Sequence, residues 1–179
     1  FSYPKQYVTY KVDTPPTIDG KLDEELWEEV GWTELFQDIQ GPALPQPRFE
    51  TRAKIRWDDS FLYVGAKLQE PDVWATITEH DKVIFQDNDF EVFVDAAGSN
   101  HYYKEFEVNA FASTWALCLD KPYMNGGHEN SSRVLNPGWD MPSARAAVSV
   151  QGSINDPNGP PCRSTGRTGA STSAESSGR

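Results

Sequence analysis

Two runs of alternating residues dominate the middle of the chain. Phe90, Val92 and Val94 fall on one side of the first run, and Asp89, Glu91, Phe93 and Asp95 on the other. In the second run Phe106, Val108 and Ala110 share a face, opposite Glu105, Glu107, Asn109 and Phe111. Ala96-Ala-Gly-Ser-Asn100 between them is turn material. The pattern predicts a strand pair with one apolar face and one face of carboxylates, amide and aromatics. The apolar face has an evident use in a core. The acidic face does not, because like charges on neighbouring strands repel, and its chemistry is the first pointer to a ligand.

The rest of the chain carries the same period. Thr51, Ala53, Ile55 and Trp57 alternate with Arg52, Lys54 and Arg56. Asp58-Asp59-Ser60 turns the chain, and Phe61 to Leu68 returns, predicting a hairpin. Tyr7 to Val12 reads as an edge strand, Trp32 to Ile39 as a possible strand and Ala144 to Val150 as another alternating strand. Trp115 to Leu119 prolongs the strand that carries Glu107. Asp23 to Val30 reads as a short helix capped by Asp23, with Leu26, Trp27 and Val30 on its buried side. Val73 to Val83 fits a loop with a helical turn, and Tyr123 to Asn136 a polar loop. Many short strands and one helix predict an all-β antiparallel sandwich.

Residues 160–179 contain no Leu, Ile, Val, Met, Phe, Tyr or Trp. Such a stretch buries too little apolar surface to offset its ordering entropy. The chain therefore divides into a sandwich domain, 1–158, and a tail, 159–179, expected to be disordered. That tail is either a linker to another domain or not the sequence the fold was built for.

Composition narrows the partners. A net charge of -11 argues against nucleic acid and anionic membrane, and is compatible with bound Ca²⁺ or an uncharged polar ligand. Six Trp, seven Tyr and nine Phe exceed what a core of this length requires and leave aromatics for a ligand platform. Cys118 and Cys162 give no zinc spacing and at most one disulfide. The chain begins at Phe1 and shows no signal peptide or membrane span, as in a mature form or a fragment whose export signal lies elsewhere.

Pro16-Thr-Ile-Asp-Gly-Lys-Leu-Asp-Glu24 with Trp27, Trp57-Asp-Asp-Ser-Phe-Leu-Tyr-Val64 with Glu70-Pro71, and Asp87-Asn-Asp-Phe-Glu-Val-Phe-Val-Asp95 with Tyr103-Lys-Glu-Phe-Glu-Val-Asn109 follow one another in order. Together they resemble family 9 carbohydrate-binding modules, within the wider DOMON-like group of sugar- and haem-binding sandwiches, and most of all the family-9-like domains of secreted bacterial proteins. The resemblance spans roughly residues 5 to 158. It implies a jelly-roll-like sandwich that binds saccharide, often holds structural Ca²⁺, and serves an attached or associated glycoside hydrolase in a secreted, extracellular or periplasmic setting. Phe85 stands where those modules carry one aromatic clamp, and Glu91 where an acidic residue bonds sugar hydroxyls. Glu107 stands where they carry an arginine. Family members continue with core strands beyond Asn155-Asp-Pro157, so the resemblance implies an incomplete domain lacking the second clamp, as in a truncated or frame-shifted gene product.

Sugars present hydroxyls and apolar C–H faces, so a binder needs carboxylates or amides beside an aromatic. Phe85, Glu91, Glu107, Asn109 and Trp115 supply these types on one expected sheet face; the alternative is a solvated face with incidental aromatics. Asp87, Asp89 and Asp95 are oxygen ligands suited to Ca²⁺, or are ordinary strand-end and turn carboxylates. Glu91 and Glu107 also fit the general form of a glycosidase pair, as any two acids on adjacent strands do. Haem would need a Met–His pair; Met124 and Met141 with His101 or His128 all fall in expected loops, and no haem is expected. His80, His101 and His128 lack metal-ligand spacing. The expected function is non-catalytic binding of a poly- or oligosaccharide, with hydrolysis and haem binding as alternatives.

Overall fold

The computed structural model describes residues 5–158 and the backbone of 171–175. Two antiparallel sheets face one another. The first has the order β1 (Thr51–Trp57), β2 (Phe61–Leu68), β7 (Ser171–Glu175). The second runs β3 (Asp89–Val94), β4 (Tyr103–Asn109), β5 (Thr114–Leu119), β6 (Glu129–Asn130). One short helix, α1 (Glu25–Glu28), precedes them. No described helix is long and apolar enough to cross a membrane.

Alternation builds the interior. Ala53, Val64 and Ala66 of the first sheet pack with Phe90 and Val92 of β3. Phe90 also joins Phe106, Val108 and Ala116, which Trp139, Met141, Ala144, Ala146 and Val148 cover at the far side. The turn between β1 and β2 is closed by Asp58, whose carboxylate accepts from Ser60 N, Phe61 N and the Tyr63 hydroxyl at 2.6–2.8 Å.

The outer face of the first sheet is covered by the N-terminal segment. Val12, Leu22, Trp27 and Tyr63 form a cluster there. Two of the basic residues on this face, Lys54 and Arg56, are buried rather than solvated. Lys54 donates to the Trp27 carbonyl. Arg56 donates to the Leu26 carbonyl and to Glu29, each at 2.7 Å. Cations at the carbonyl end of a helix satisfy groups that the helix itself leaves unpaired.

Several elements depart from the sequence expectation. The helix is one turn, and Glu24 rather than Asp23 precedes it. Glu24 has its carboxylate occupied by Thr17 N and the Trp27 indole N–H. β5 is a separate strand, not a continuation of β4, because the Asn109 carboxamide accepts from Phe111 N and Ser113 N and folds 110–113 into a tight turn. Tyr7 to Val12 and Trp32 to Ile39 form no regular strand. They follow the edge of β1 through Val12 N–Trp57 O, Thr33 N–Ala53 O and Phe36 N–Thr51 O, each at 2.8 Å. Ala144 to Val150 contributes its alternating side chains to packing without a ladder. Within the stretch 159–179, the described backbone of Ser171–Glu175 runs beside β2, with the register Phe61↔Glu175 to Gly65↔Ser171. Edge pairing uses backbone groups and needs no apolar side chain. The rest of that tail, Cys162 included, lies outside the described residues.

At Gly65 the N-terminal layer lies tight against the sheet. A Cβ there would stand 2.4 Å from Leu22 Cδ2. Gly65→Ala should therefore destabilise the domain by about 1–3 kcal/mol. Combining it with Leu22→Ala should cost less than the sum, with a coupling of about 0.5–3 kcal/mol in urea unfolding. Strict additivity would show that the two residues do not share this space.

Candidate functional site

The second sheet turns its other face outward. Register places Glu91 opposite Glu107, and Glu107 opposite Trp115, so the three form one row across β3, β4 and β5. Glu105 and Leu117 form part of the next row. The segment before β3 closes one end. Ile84 is fully buried against Trp115, Leu117 and Leu119. Asp87 fixes the segment, since its carboxylate accepts from Thr76 N, Thr76 Oγ1, Ile77 N and Asn109 Nδ2 at 2.8–3.0 Å. This latch sets Phe85 at the rim, 52% exposed, its ring 6.3 Å from that of Trp115 and tilted 46° to it.

The opposite wall comes from the polar loop around β6. Glu129, whose side chain is 4% exposed, accepts from Arg133 Nε and Nη2, Tyr123 Oη and Ser131 Oγ at 2.5–2.8 Å. These bonds, the Arg133 pair foremost, hold its carboxyl down at about 2. Phe85, Glu91, Glu105, Glu107, Trp115, Tyr123, Glu129 and Arg133 thereby enclose an open pocket of about 310 Å³.

The floor is electrostatically the reverse of that wall. Glu107 is 2% exposed and its Oε2 has no hydrogen-bond partner; Asp89 Oδ2 and Trp115 Nε1 are likewise buried and unpartnered. One oxygen each from Asp89, Glu91 and Glu107 lies within 4.8 Å of the others. Burial, reinforced by the neighbouring carboxylates, pushes Glu107 up to about 9 and Asp89 and Glu105 up to about 7. Burial also raises Glu91.

The residues expected from sequence are distributed unequally. Phe85, Glu91, Glu107 and Trp115 line the pocket, but Trp115 is 2% exposed and offers its edge chemistry rather than a stacking face. Asn109 does not line it. Both its amide hydrogens and its oxygen are taken up by Ile77 O, Asp87, Phe111 N and Ser113 N, which corrects its assignment to a ligand. Asp87, Asp89 and Asp95 do not come together. Asp87 is saturated by the latch, and Asp95 accepts from Asn100 N at 2.6 Å in its own turn, while Asp89 joins the two glutamates. Met124 and His128 are exposed, and Met141 packs against the interior.

Tyr123, Glu129 and Arg133 were missed because a loop carries no periodic signal. The Glu-x-x-x-Arg spacing of Glu129 and Arg133 was visible but has no meaning until β6 and its loop bring both to a sheet face. Two other hollows among the described residues are of comparable or greater size. One, lined by Phe49, Leu68, Phe90, Val108 and Val148, opens between the sheets and takes in Asp87 and Asp89 at its margin. The other lies along Trp32 to Gln37.

Comparison with known proteins agrees with this architecture. The family described as "Carbohydrate family 9 binding domain-like" matches residues 18–132, more than half the chain, and the chain belongs to it. No curated protein matches it. A carbohydrate binding module family 9 from Caldicellulosiruptor kristjanssonii in complex with cellotriose is 17% identical, with a TM-score of 0.58 over 97% of this chain and 68% of that one. A second structure, described as a family 9 module from the same organism in complex with glucose, gives 15%, 0.58, 95% and 69%. At such identities the likeness is one of fold.

The Arg133–Glu129 wall has a pH signature. A carboxyl held at about 2, below its ordinary 4.5, contributes stability that is present above about 4.5 and lost as pH falls toward 2. Urea unfolding of the domain should show that loss, and Arg133→Gln should make it shallower. An unchanged acid limb in Arg133→Gln would show that the pair does not hold the wall.

Proposed function

We propose that this domain binds saccharide without catalysing its hydrolysis, through the pocket between Phe85 and Arg133. The observation that carries this reading is the juxtaposition of a half-exposed aromatic ring, an exposed carboxylate on Glu91 and a part-exposed guanidinium on Arg133 around one open hollow. A sugar ring presents C–H bonds to Phe85 and hydroxyls to the polar pair. Arg133 donates and Glu91 accepts, so both hydroxyl roles are met. Membership of the family supports the ligand class, and the cellotriose and glucose bound by the similar modules favour a glucan.

The non-catalytic reading is supported by the burial of Glu107. Its cross-strand proximity to Glu91 is of the kind a glycosidase pair requires. A general acid or base, however, must come within hydrogen-bond reach of the atom it serves, and a side chain this enclosed has little means of doing so. In this reading the domain acts by avidity, holding a glycoside hydrolase near polysaccharide outside the cell or in the periplasm.

Calorimetry against cello-, xylo- and manno-oligosaccharides is expected to show binding to at least one, weakened roughly tenfold or more in Phe85→Ala, as for truncation of a stacking anchor. Chromogenic glycosides should remain intact. Equal affinity in Phe85→Ala, no binding by folded protein, or turnover abolished in Glu91→Gln would each overturn the reading.

A further inference from the structure

The pocket stops one side chain short of the pattern that makes it. Register sets two rows of three across β3, β4 and β5: Glu91–Glu107–Trp115 and Phe93–Glu105–Leu117. Five of these six residues line the hollow, and Phe93 is the sixth. It shares the outer face with Glu91, about 7 Å further along the strand. Glu91 and Phe93 are the exposed positions of β3. A face that met only water would favour a polar side chain beside Glu91; here an aromatic ring is left 55% exposed.

A single exposed phenylalanine is ordinary on a protein surface. Phe93 differs in its backing. Its ring lies 6.3 Å from that of Tyr103 and is tilted 45° to it. Tyr103 in turn packs against the buried cluster of Ile84, Trp115, Leu117 and Leu119. The Phe85 ring sits beside Trp115 of the same cluster. One apolar support therefore backs both exposed rings, Phe85 beside β5 and Phe93 on β3. Polar chemistry accompanies the second ring as it does the first. Glu105 stands opposite Phe93. Burial, with the Glu105 and Asp120 carboxylates, raises the Tyr103 hydroxyl above its ordinary value, so it stays protonated and able to donate.

We propose that Phe93, backed by Tyr103, is a second stacking subsite that takes the neighbouring sugar residue of a chain held in the pocket, so that the ligand is an oligosaccharide rather than a free monosaccharide. This rests on the saccharide reading above and adds to it a dependence on chain length. One sugar ring offers C–H bonds to Phe85 and hydroxyls to Glu91 and Arg133. The next, displaced toward β3, offers its own C–H face to Phe93. Tyr103 restricts the Phe93 ring in advance, which leaves little ordering to be done on binding.

The test is an NMR-detected titration of the full-length chain with glucose, cellobiose and cellotriose. Affinity is expected to rise from glucose to cellotriose by roughly threefold to tenfold, the worth of one aromatic contact. The Phe93 and Tyr103 ring signals should move with cellotriose and not with glucose. Phe93→Ala should bring the cellotriose-to-glucose affinity ratio toward one, and Phe93→Trp should restore it. Phe85→Ala should lower both affinities and keep their ratio. A ratio near one in the parent chain, or a ratio unchanged in folded Phe93→Ala, would overturn the subsite while glucose binding at the pocket leaves the saccharide reading intact. Absence of any shift with all three sugars would defeat that reading, and the subsite with it.

Discussion

Register and alternation together hold carboxylates where solvent would not leave them. Glu107 sits between Phe106 and Val108 in sequence, and those two residues are core of the sandwich. A one-residue slip of β4 would turn Phe106 and Val108 out of the core and send the Glu107 carboxylate into it. The packing of Phe90, Val92, Phe106 and Val108 therefore fixes Glu91 and Glu107 side by side on the other face. Fold stability comes from one side of the sheet, and the unusual electrostatics of the pocket from the side that packing leaves no freedom to rearrange.

The acidic residues of this face have separate physical states. Asp87 and Glu129 are satisfied, each accepting several hydrogen bonds, and both serve as fasteners. Asp87 fixes the segment that presents Phe85, and Glu129 fixes the arm that presents Arg133. Glu107 and Asp89 keep unpartnered oxygens. A chain with a net charge of -11 thus uses some of its carboxylates to build the walls and leaves others in the floor. That contrast separates scaffold from site more sharply than residue type does.

Much of the fold was legible because period two survives in the sequence. The β1–β2 hairpin and the two faces of β3 and β4 follow directly from alternation. Trp32 to Ile39 and Ala144 to Val150 alternate as well, yet they pack without entering a ladder; side-chain pattern reports burial, and says nothing of where backbone hydrogen bonds go. The acidic floor was half legible. Glu91 and Glu107 were visible as a same-face pair, whereas Asn109 looked like a ligand because its role in the 110–113 turn depends on tertiary contacts with Ile77 and Asp87. Arg133 and Tyr123 were out of reach, since only folding brings their loop across the sheet.

The central claim is that ligand engages the face made by the Glu91–Glu107–Trp115 row and its two walls. Titrating a cello-oligosaccharide into isotope-labelled protein and following amide and indole resonances by NMR tests it most directly. The account predicts that the largest shifts fall on Phe85, Glu91, Tyr123, Arg133 and the Trp115 indole N–H. Shifts confined to the hollow around Phe49 and Leu68, or to the stretch from Trp32 to Gln37, with the Trp115 indole unmoved, would contradict it.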